Sequence, residues 1–196
     1  MVEAAGGLDD GLMTARWGAM QRLDAYQGRL EPGASAWLRL LIWYGLGRCL
    51  VASAIPGTFW RRWLLRLYGA RLGIGGCIKP GVRITKPWNL ILGDHCWLGE
   101  DLWIDNLALV RIGDQVCLSQ GVYLCTGNHD YRRATFDLRL GEITIESQAW
   151  IAAQAVLAPG THVGAAAVVG LGAVVSGVVP AGAIVRGNPA VVVGQR

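Results

Sequence analysis

The sequence predicts an all-β solenoid, a parallel β-helix of hexapeptide repeats, preceded by a helical segment. Three observations carry that reading. Aliphatic residues recur every six positions through the C-terminal two-thirds, glycine is unusually abundant, and the first seventy residues have a separate Trp- and Arg-rich character.

The recurrence is clearest late in the chain, where Ile145, Ile151, Leu157, Val163, Val169 and Val175 stand six apart. Two residues before each lie Ile143, Ala149, Ala155, Thr161, Ala167 and Ala173, which are mostly small. An earlier run repeats the pattern through Ile78, Ile84, Leu92, Leu98, Ile104, Ile112, Leu118 and Leu124. Its steps from Ile84 to Leu92 and from Ile104 to Ile112 are eight residues long. A period of six matches neither an amphipathic helix nor an alternating strand. It matches a coil of three short strands, about 18 residues per turn, whose recurring residue points inward and stacks on its copies. Successive coils would lie about 4.8 Å apart. Glycine, 28 of 196 residues, suits the corners, and with only 7 prolines it does not read as a low-complexity linker.

The N-terminal part reads differently. Residues 1–73 hold nine Arg against five acids, whereas residues 74–196 hold nine Lys and Arg against nine acids. No acid occurs between Glu31 and Asp94. The basic excess is therefore local, and the neutral solenoid offers no face for nucleic acid. Trp37, Leu38, Leu40, Leu41, Trp43, Tyr44, Leu46 and Leu50 form one expected helix, broken at Pro56-Gly57. A second runs from Phe59 to Tyr68 and ends at Gly69. Two readings stay open: a cap on the first coil, and an interfacial element facing an anionic membrane surface. The expected organisation is a helical segment over 1–73, a β-helix domain over 74–185 with a loop at 125–142, and a tail over 186–196.

Five cysteines (Cys49, Cys77, Cys96, Cys117 and Cys125) with no CxxC pair argue for a reducing compartment. The early acids Glu3, Asp9 and Asp10 do not fit a secretory leader. The apolar stretch from Ala36 to Ile55 is interrupted by Arg39 and Arg48, which makes it a poor spanning helix. The expected location is cytoplasmic, with peripheral contact at the inner membrane surface under the second reading of the helices.

Chemistry is expected where the repeat breaks. Between Leu124 and Ile143 a polar loop intrudes, Cys125-Thr126-Gly127-Asn128-His129-Asp130-Tyr131-Arg132-Arg133. His129 can accept a proton from a hydroxyl near neutral pH. His95 falls at a coil corner, and His162, one residue before inward-facing Val163, is expected to point outward. Three isolated histidines and scattered cysteines give no metal-ligand spacing, so no metal is expected. No GxSxG and no phosphate-loop motif is present. Cys125 reads as a small buried residue rather than a thiol nucleophile.

The hexad repeat, the Thr126-Gly127-Asn128-His129-Asp130 loop, Trp150-Ile151-Ala152-Ala153, Pro159-Gly160 and Gly187-Asn188-Pro189-Ala190 resemble the hexapeptide-repeat acyltransferases. Leu64-Leu65-Arg66-Leu67-Tyr68-Gly69-Ala70, Pro87-Trp88-Asn89 and Ser119-Gln120 extend the likeness over about residues 60–196. It is greatest toward the colanic acid (exopolysaccharide) biosynthesis acetyltransferases, relatives of the galactoside and maltose acetyltransferases. The resemblance implies a left-handed β-helix, a homotrimer and active sites in the clefts between subunits. It implies acetyl-CoA as co-substrate, with His129 removing the proton of a sugar hydroxyl that attacks the thioester directly. It puts Asp105, Asn106, Asn128 and Asp130 toward the acceptor. It puts Trp150, Ala153, Leu171 and Ser176 toward coenzyme A, with Arg186 as a phosphate contact in place of the family's usual lysine.

The main expectation is an O-acetyltransferase acting on a sugar hydroxyl in exopolysaccharide or glycan biosynthesis, the acceptor being lipid-linked if the helices meet a membrane. Two alternatives stand beside it. One is transfer to a small free sugar, an antibiotic or an amino sugar; the other is a non-catalytic β-helix scaffold.

Overall fold

Each recurring aliphatic residue needs a dry position, and a three-sided coil provides one per side. The computed structural model describes residues 21–26, 28 and 34–196, without the side chains of residues 34–36 and 39. The first twenty residues of the expected N-terminal segment, including the acids read against a leader, lie outside the described residues. The chain divides into two compact units, residues 1–31 with 129–139, and residues 32–128 with 140–196.

The larger unit is a parallel β-solenoid of six coils. The first coil holds β1 (Arg71–Leu72), β2 (Cys77–Ile78) and β3 (Arg83–Ile84). The second holds β4 (Leu90–Leu92), β5 (Trp97–Leu98) and β6 (Trp103–Asp105). The third holds β7 (Val110–Ile112), β8 (Cys117–Leu118) and β9 (Tyr123–Cys125). A two-stranded ribbon of β10 (Gly127–His129) and β11 (Leu138–Leu140) then leaves the repeat. The fourth coil resumes with β12 (Ile143–Ile145), β13 (Trp150–Ile151) and β14 (Val156–Leu157). The fifth holds β15 (His162–Val163), β16 (Val168–Val169) and β17 (Val174–Val175). The last holds β18 (Val178–Val179) and β19 (Ala183–Gly187), on which β20 (Ala190–Gln195) folds back antiparallel.

Three sheets result, ordered β1-β4-β7-β12-β15-β18, β2-β5-β8-β13-β16-β19-β20 and β3-β6-β9-β14-β17. Ile78, Leu98, Leu118, Ile151, Val169 and Val185 stack along the inside of the second sheet, all of them buried. Leu92, Ile112, Ile145 and Val163 do so in the first, and Ile84, Ile104, Leu124 and Leu157 in the third. The repeat read from the sequence is thus the core itself.

Glycines hold several corners at positive φ as expected, Gly81, Gly121 and Gly172 among them, but not all. Several left-handed corner positions are held by His95, Asp101, Gln115, Gln148, Gln154 and Ala166, with φ between 55° and 65°. Some glycines serve a different need, close approach between coils. A Cβ on Gly99 would lie 2.6 Å from the Ser119 carbonyl carbon, and one on Gly113 would lie 2.6 Å from the Ser147 nitrogen.

The eight-residue steps also have a cause. They form wider corners cross-linked from coil to coil. Asn106, fully buried, accepts the Lys86 N–H at 2.9 Å and donates to the carbonyls of Lys86 (2.7 Å) and Asn89 (3.1 Å). Asn89 returns a bond to the Leu107 carbonyl at 2.9 Å. Thr126 continues the ladder, donating to the Asp105 carbonyl (2.8 Å) and accepting the Ala108 N–H (3.0 Å). These corners brace the root from which the ribbon departs.

The expected helices cover the first coil. One runs as α1 (Ala34–Ile42), a π-helical turn (Trp43–Gly47) and α2 (Arg48–Ala52); the other is α3 (Phe59–Leu67). The buried Trp43 indole donates to the carbonyls of Ile84 (3.2 Å) and Thr85 (3.1 Å). The Arg61 guanidinium donates to the carbonyls of Val51, Ser53 and Gly57, and burial lowers its pKa. Arg62 donates to the Gly73 carbonyl. Main-chain acceptors at the solenoid's open end and in the link between the helices are thereby satisfied. Among the described residues, no helix is long and apolar enough to cross a membrane.

Candidate active site

Where the third coil would close, the chain instead runs out along the ribbon, and His129 stands at the end of β10. Its Nδ1 lies 2.8 Å from the carbonyl oxygen of Phe136. A carbonyl only accepts, so Nδ1 carries a proton, and the lone pair of the neutral tautomer that this bond selects is on Nε2. The Phe136 ring stacks on the imidazole at 4.3 Å and 3°, and Tyr26 meets it edge-on at 5.4 Å. Phe136 holds this position at φ 48°, a conformation a bulky residue rarely adopts and one worth about 1–2 kcal/mol of strain. The carbonyl that fixes the tautomer belongs to a strained residue of the loop.

Asp130 is buried, and its two oxygens are engaged within the loop. Oδ2 accepts from Arg139 at 2.6 Å and Oδ1 from the Arg132 N–H at 3.2 Å. Its own N–H donates to the Asp137 carbonyl at 2.8 Å. Asp130 therefore shapes the loop that carries His129. Asn128 is exposed, one residue before the histidine.

Asp105 ends β6 at the wide corner. It accepts from Thr85 Oγ1 at 2.9 Å and from the Tyr123 hydroxyl at 3.4 Å. Burial, with Cys125 and Asp105 adding to it, pushes the Tyr123 hydroxyl well above its ordinary pKa. Asn106 beside it is spent on the main chain of the neighbouring corner, as described above. Of the polar pair read at this step, Asn106 is a structural strut, and Asp105 remains half-buried and reachable.

A groove of about 520 Å³ runs along the outside of the second sheet. Trp150, Ala153, Leu171 and Arg186, four of the five residues read as coenzyme contacts, line it together. The Trp150 indole, 47% exposed, donates to Ser119 Oγ at 3.0 Å, which fixes the ring as a wall. Arg186 lies across Gly170, where a Cβ would approach its Cγ to 2.7 Å. The absent side chain leaves room for the stem of Arg186. An apolar trough with a cation at one end fits an extended thiol-ester carrier with anionic phosphates. Ser176, the fifth residue, lies outside this groove, exposed in the short link between β17 and β18.

The groove continues toward the first coils in a second hollow of about 340 Å³ lined by Cys77, Lys79, Trp97, Glu100, Ser119 and Gln120, among others. Ser119 and Gln120 border both hollows. The sequence reading did not assign this end to the site. The available signal was the position before each inward aliphatic residue, which Trp97 and Trp150 share. In register along the sheet, Trp97, Cys117 and Trp150 are consecutive rungs.

His162 points outward, as its place before Val163 implied, and its Nε2 lies 2.7 Å from Glu146 Oε1 on the first sheet. His95 sits exposed at a left-handed corner. Cys125 is half-buried with Sγ 3.0 Å from the Gly127 carbonyl.

No family model matches the chain. Individual relatives do. It is 38% identical over 160 residues to a chain of Escherichia coli (strain K12) named colanic acid biosynthesis acetyltransferase WcaF, covering 81% of this chain and 88% of that one. The chain belongs to this acetyltransferase family. Galactoside O-acetyltransferase of Escherichia coli is similar at 26% identity, covering 66% of this acetyltransferase and 65% of the relative. Among solved structures, a hexapeptide-repeat acetyltransferase of Vibrio cholerae complexed with acetyl coenzyme A matches with a TM-score of 0.76 and 26% identity. That match covers 88% of this chain and 96% of the other. The solenoid is therefore the left-handed β-helix of the hexapeptide-repeat acetyltransferases, and this acetyltransferase is an acyl-transferring enzyme.

Proposed function

We propose that the enzyme transfers an acetyl group from acetyl-CoA to a sugar hydroxyl in an exopolysaccharide or related glycan precursor, with His129 as general base. The observation that carries the base assignment is the bond between His129 Nδ1 and the Phe136 carbonyl, which puts the lone pair on Nε2. Family membership with a colanic acid biosynthesis acetyltransferase supports the glycan acceptor.

In this reading the acceptor hydroxyl gives its proton to Nε2 as its oxygen attacks the thioester carbonyl carbon. The tetrahedral oxyanion then collapses, the C–S bond breaks, and the departing CoA thiolate takes the proton back from Nε2. No acyl-enzyme forms. A thioester is already activated, so alignment and a base supply most of what the chemistry needs. The donor's apolar arm lies along Trp150, Ala153 and Leu171, and Arg186 meets a phosphate. The sugar occupies the Trp97 end, where an exposed indole offers a flat apolar face and Lys79, Glu100 and Gln120 offer hydrogen bonds to hydroxyls.

Asp105 and Asn128 add acceptor contacts, while Asn106 and Asp130 act as positioning residues. The working assembly is a homotrimer in the cytoplasm, with each site shared by two subunits. The test is CoA release from acetyl-CoA, followed with a thiol reagent across free sugars, amino sugars and glycan oligosaccharides. Release should depend on a hydroxyl acceptor and fall by about 10²–10⁴ in His129→Ala. Equal release by both proteins removes His129 as the base, and release with amino sugars alone removes the hydroxyl acceptor.

A further inference from the structure

The helices that cap the first coil carry apolar residues on two sides, and among the described residues only one side is covered. On the first helix Trp43, Gly47 and Val51, spaced four apart, are buried. Leu38, Leu41, Ile42 and Leu46, away from that stripe, are exposed. On α3, Leu64 and Leu65 are buried, while Phe59, Trp63 and Leu67, also four apart, are 83%, 59% and 64% exposed. An exposed apolar stripe opposite a buried one calls for an apolar setting on that side as well, and scattered surface residues do not form such stripes.

Charge says which setting. Between residues 32 and 93 the chain has no Asp or Glu, yet Arg48, Arg61, Arg62 and Arg66 all lie on these helices. Arg61 and Arg62 are buried and donate to main-chain carbonyls on the covered side, whereas Arg66 is exposed beside Leu67 and Arg48 is half-buried on the first helix. The nearest acids, Asp94 and Asp105, belong to the coil beneath rather than to the helices. A self-complementary dimer through this face would bring Arg48 and Arg66 toward their own copies with no acid on the helices to offset them, which costs affinity. An anionic bilayer satisfies both features, taking aromatic and aliphatic side chains at its interface and placing anionic headgroups against Arg48 and Arg66.

We propose that Phe59, Trp63 and Leu67, with Leu38, Leu41 and Ile42 of the first helix, form a docking face for an anionic lipid bilayer. The protein then lies on the membrane without crossing it, the open end of the solenoid toward the lipid. A lipid-linked glycan would thus be met at the surface that carries it. The docking face does not depend on the acyl-transfer reading, because it requires neither acetyl-CoA nor an acceptor.

The test is flotation of the full chain with vesicles of phosphatidylcholine and phosphatidylglycerol, against phosphatidylcholine alone, for wild type and a Phe59→Ser/Trp63→Ser/Leu67→Ser variant. Thermal melting and CoA release with a soluble acceptor should be unchanged, since these residues lie outside the groove. The vesicle-bound fraction should fall at least tenfold in the variant and on removal of the anionic lipid, and should fall with added salt. If the triple variant melts early, Phe59→Ser alone should still lose several-fold. Equal binding by wild type and variant, or wild type staying in the soluble fraction, overturns the proposal. So does wild type that self-associates through this face and leaves vesicles unbound.

Discussion

The carbonyl oxygen of Phe136 lies 2.8 Å from Nδ1 of His129, and the ring of the same residue lies flat against the imidazole. One residue thus sets the tautomer with its main chain and the plane of the ring with its side chain. The two effects are separable. Phe136→Leu keeps the carbonyl and removes the stack, which is worth about 0.5–1.5 kcal/mol. We expect kcat to fall roughly 2- to 12-fold, with the KM for acetyl-CoA unchanged. A loss as deep as that of His129→Ala would mean that the stack, not the carbonyl, holds the base.

The donor groove predicts a binding effect rather than a chemical one. Trp150→Phe keeps an apolar wall and gives up the bond to Ser119 Oγ, so the KM for acetyl-CoA should rise about 2- to 10-fold. Arg186→Ala gives up a charge-assisted contact and should raise the same KM by about tenfold or more, less so at high salt. Steady-state kinetics with acetyl-CoA and with its dephospho form separate the wall from the phosphate contact.

Asn106 stands at the wide corner with three hydrogen bonds to buried main chain. Asn106→Ala would leave the Lys86 N–H and the carbonyls of Lys86 and Asn89 unpaired. The expected cost is about 3 kcal/mol or more, a drop of about 6–12 °C in Tm for a chain of this size. Thermal denaturation by circular dichroism measures it directly. An unchanged Tm would show that the corner holds without its strut.

Glu146 gives the solenoid an acid-sensitive tie. The hydrogen bond to His162, with the Ala165 N–H second, holds its carboxyl below the usual carboxylate range. A lowered folded pKa contributes stability above the unfolded value, about 4.3, and loses it as pH falls through the lower folded value. Glu146→Gln should therefore be less stable at neutral pH, and its Tm should fall less than that of wild type between about pH 5 and about pH 3. Parallel melts across that range check the sign.

The sequence exposed the parts of this molecule that repeat. Ile145, Ile151 and Leu157 announce their burial because each coil asks the same question of the same position. The departure of the chain at His129 was legible as the place where that question stops. Four groove residues could be named through the family resemblance, which put Trp150, Ala153 and Leu171 toward coenzyme A and left Arg186, just before Gly187, as a phosphate contact. The orienting partner of His129 could not be named, because Phe136 acts through a carbonyl, and every residue has one. The bonds of Asn106 were hidden for a related reason. An Asn at an irregular step announces a corner, but the chain does not say which main-chain atoms a coil away will meet it. Trp97 was readable in principle by aligning outward positions. The ribbon between the third and fourth coils lengthens the step from Cys117 to Trp150 and conceals that the two are neighbours.

The rungs Trp97, Cys117, Trp150, Val168 and Ile184 occupy successive coils of one sheet. Neighbouring rungs are set apart by one strand spacing, about 4.8 Å, so Trp97 and Ile184 stand about 19 Å from each other. That spacing makes the groove a ruler with a fixed unit. A change in the length of the molecule it can hold comes only in whole coils, each adding or removing one graduation. Side chains tune grip between graduations, and cannot tune reach.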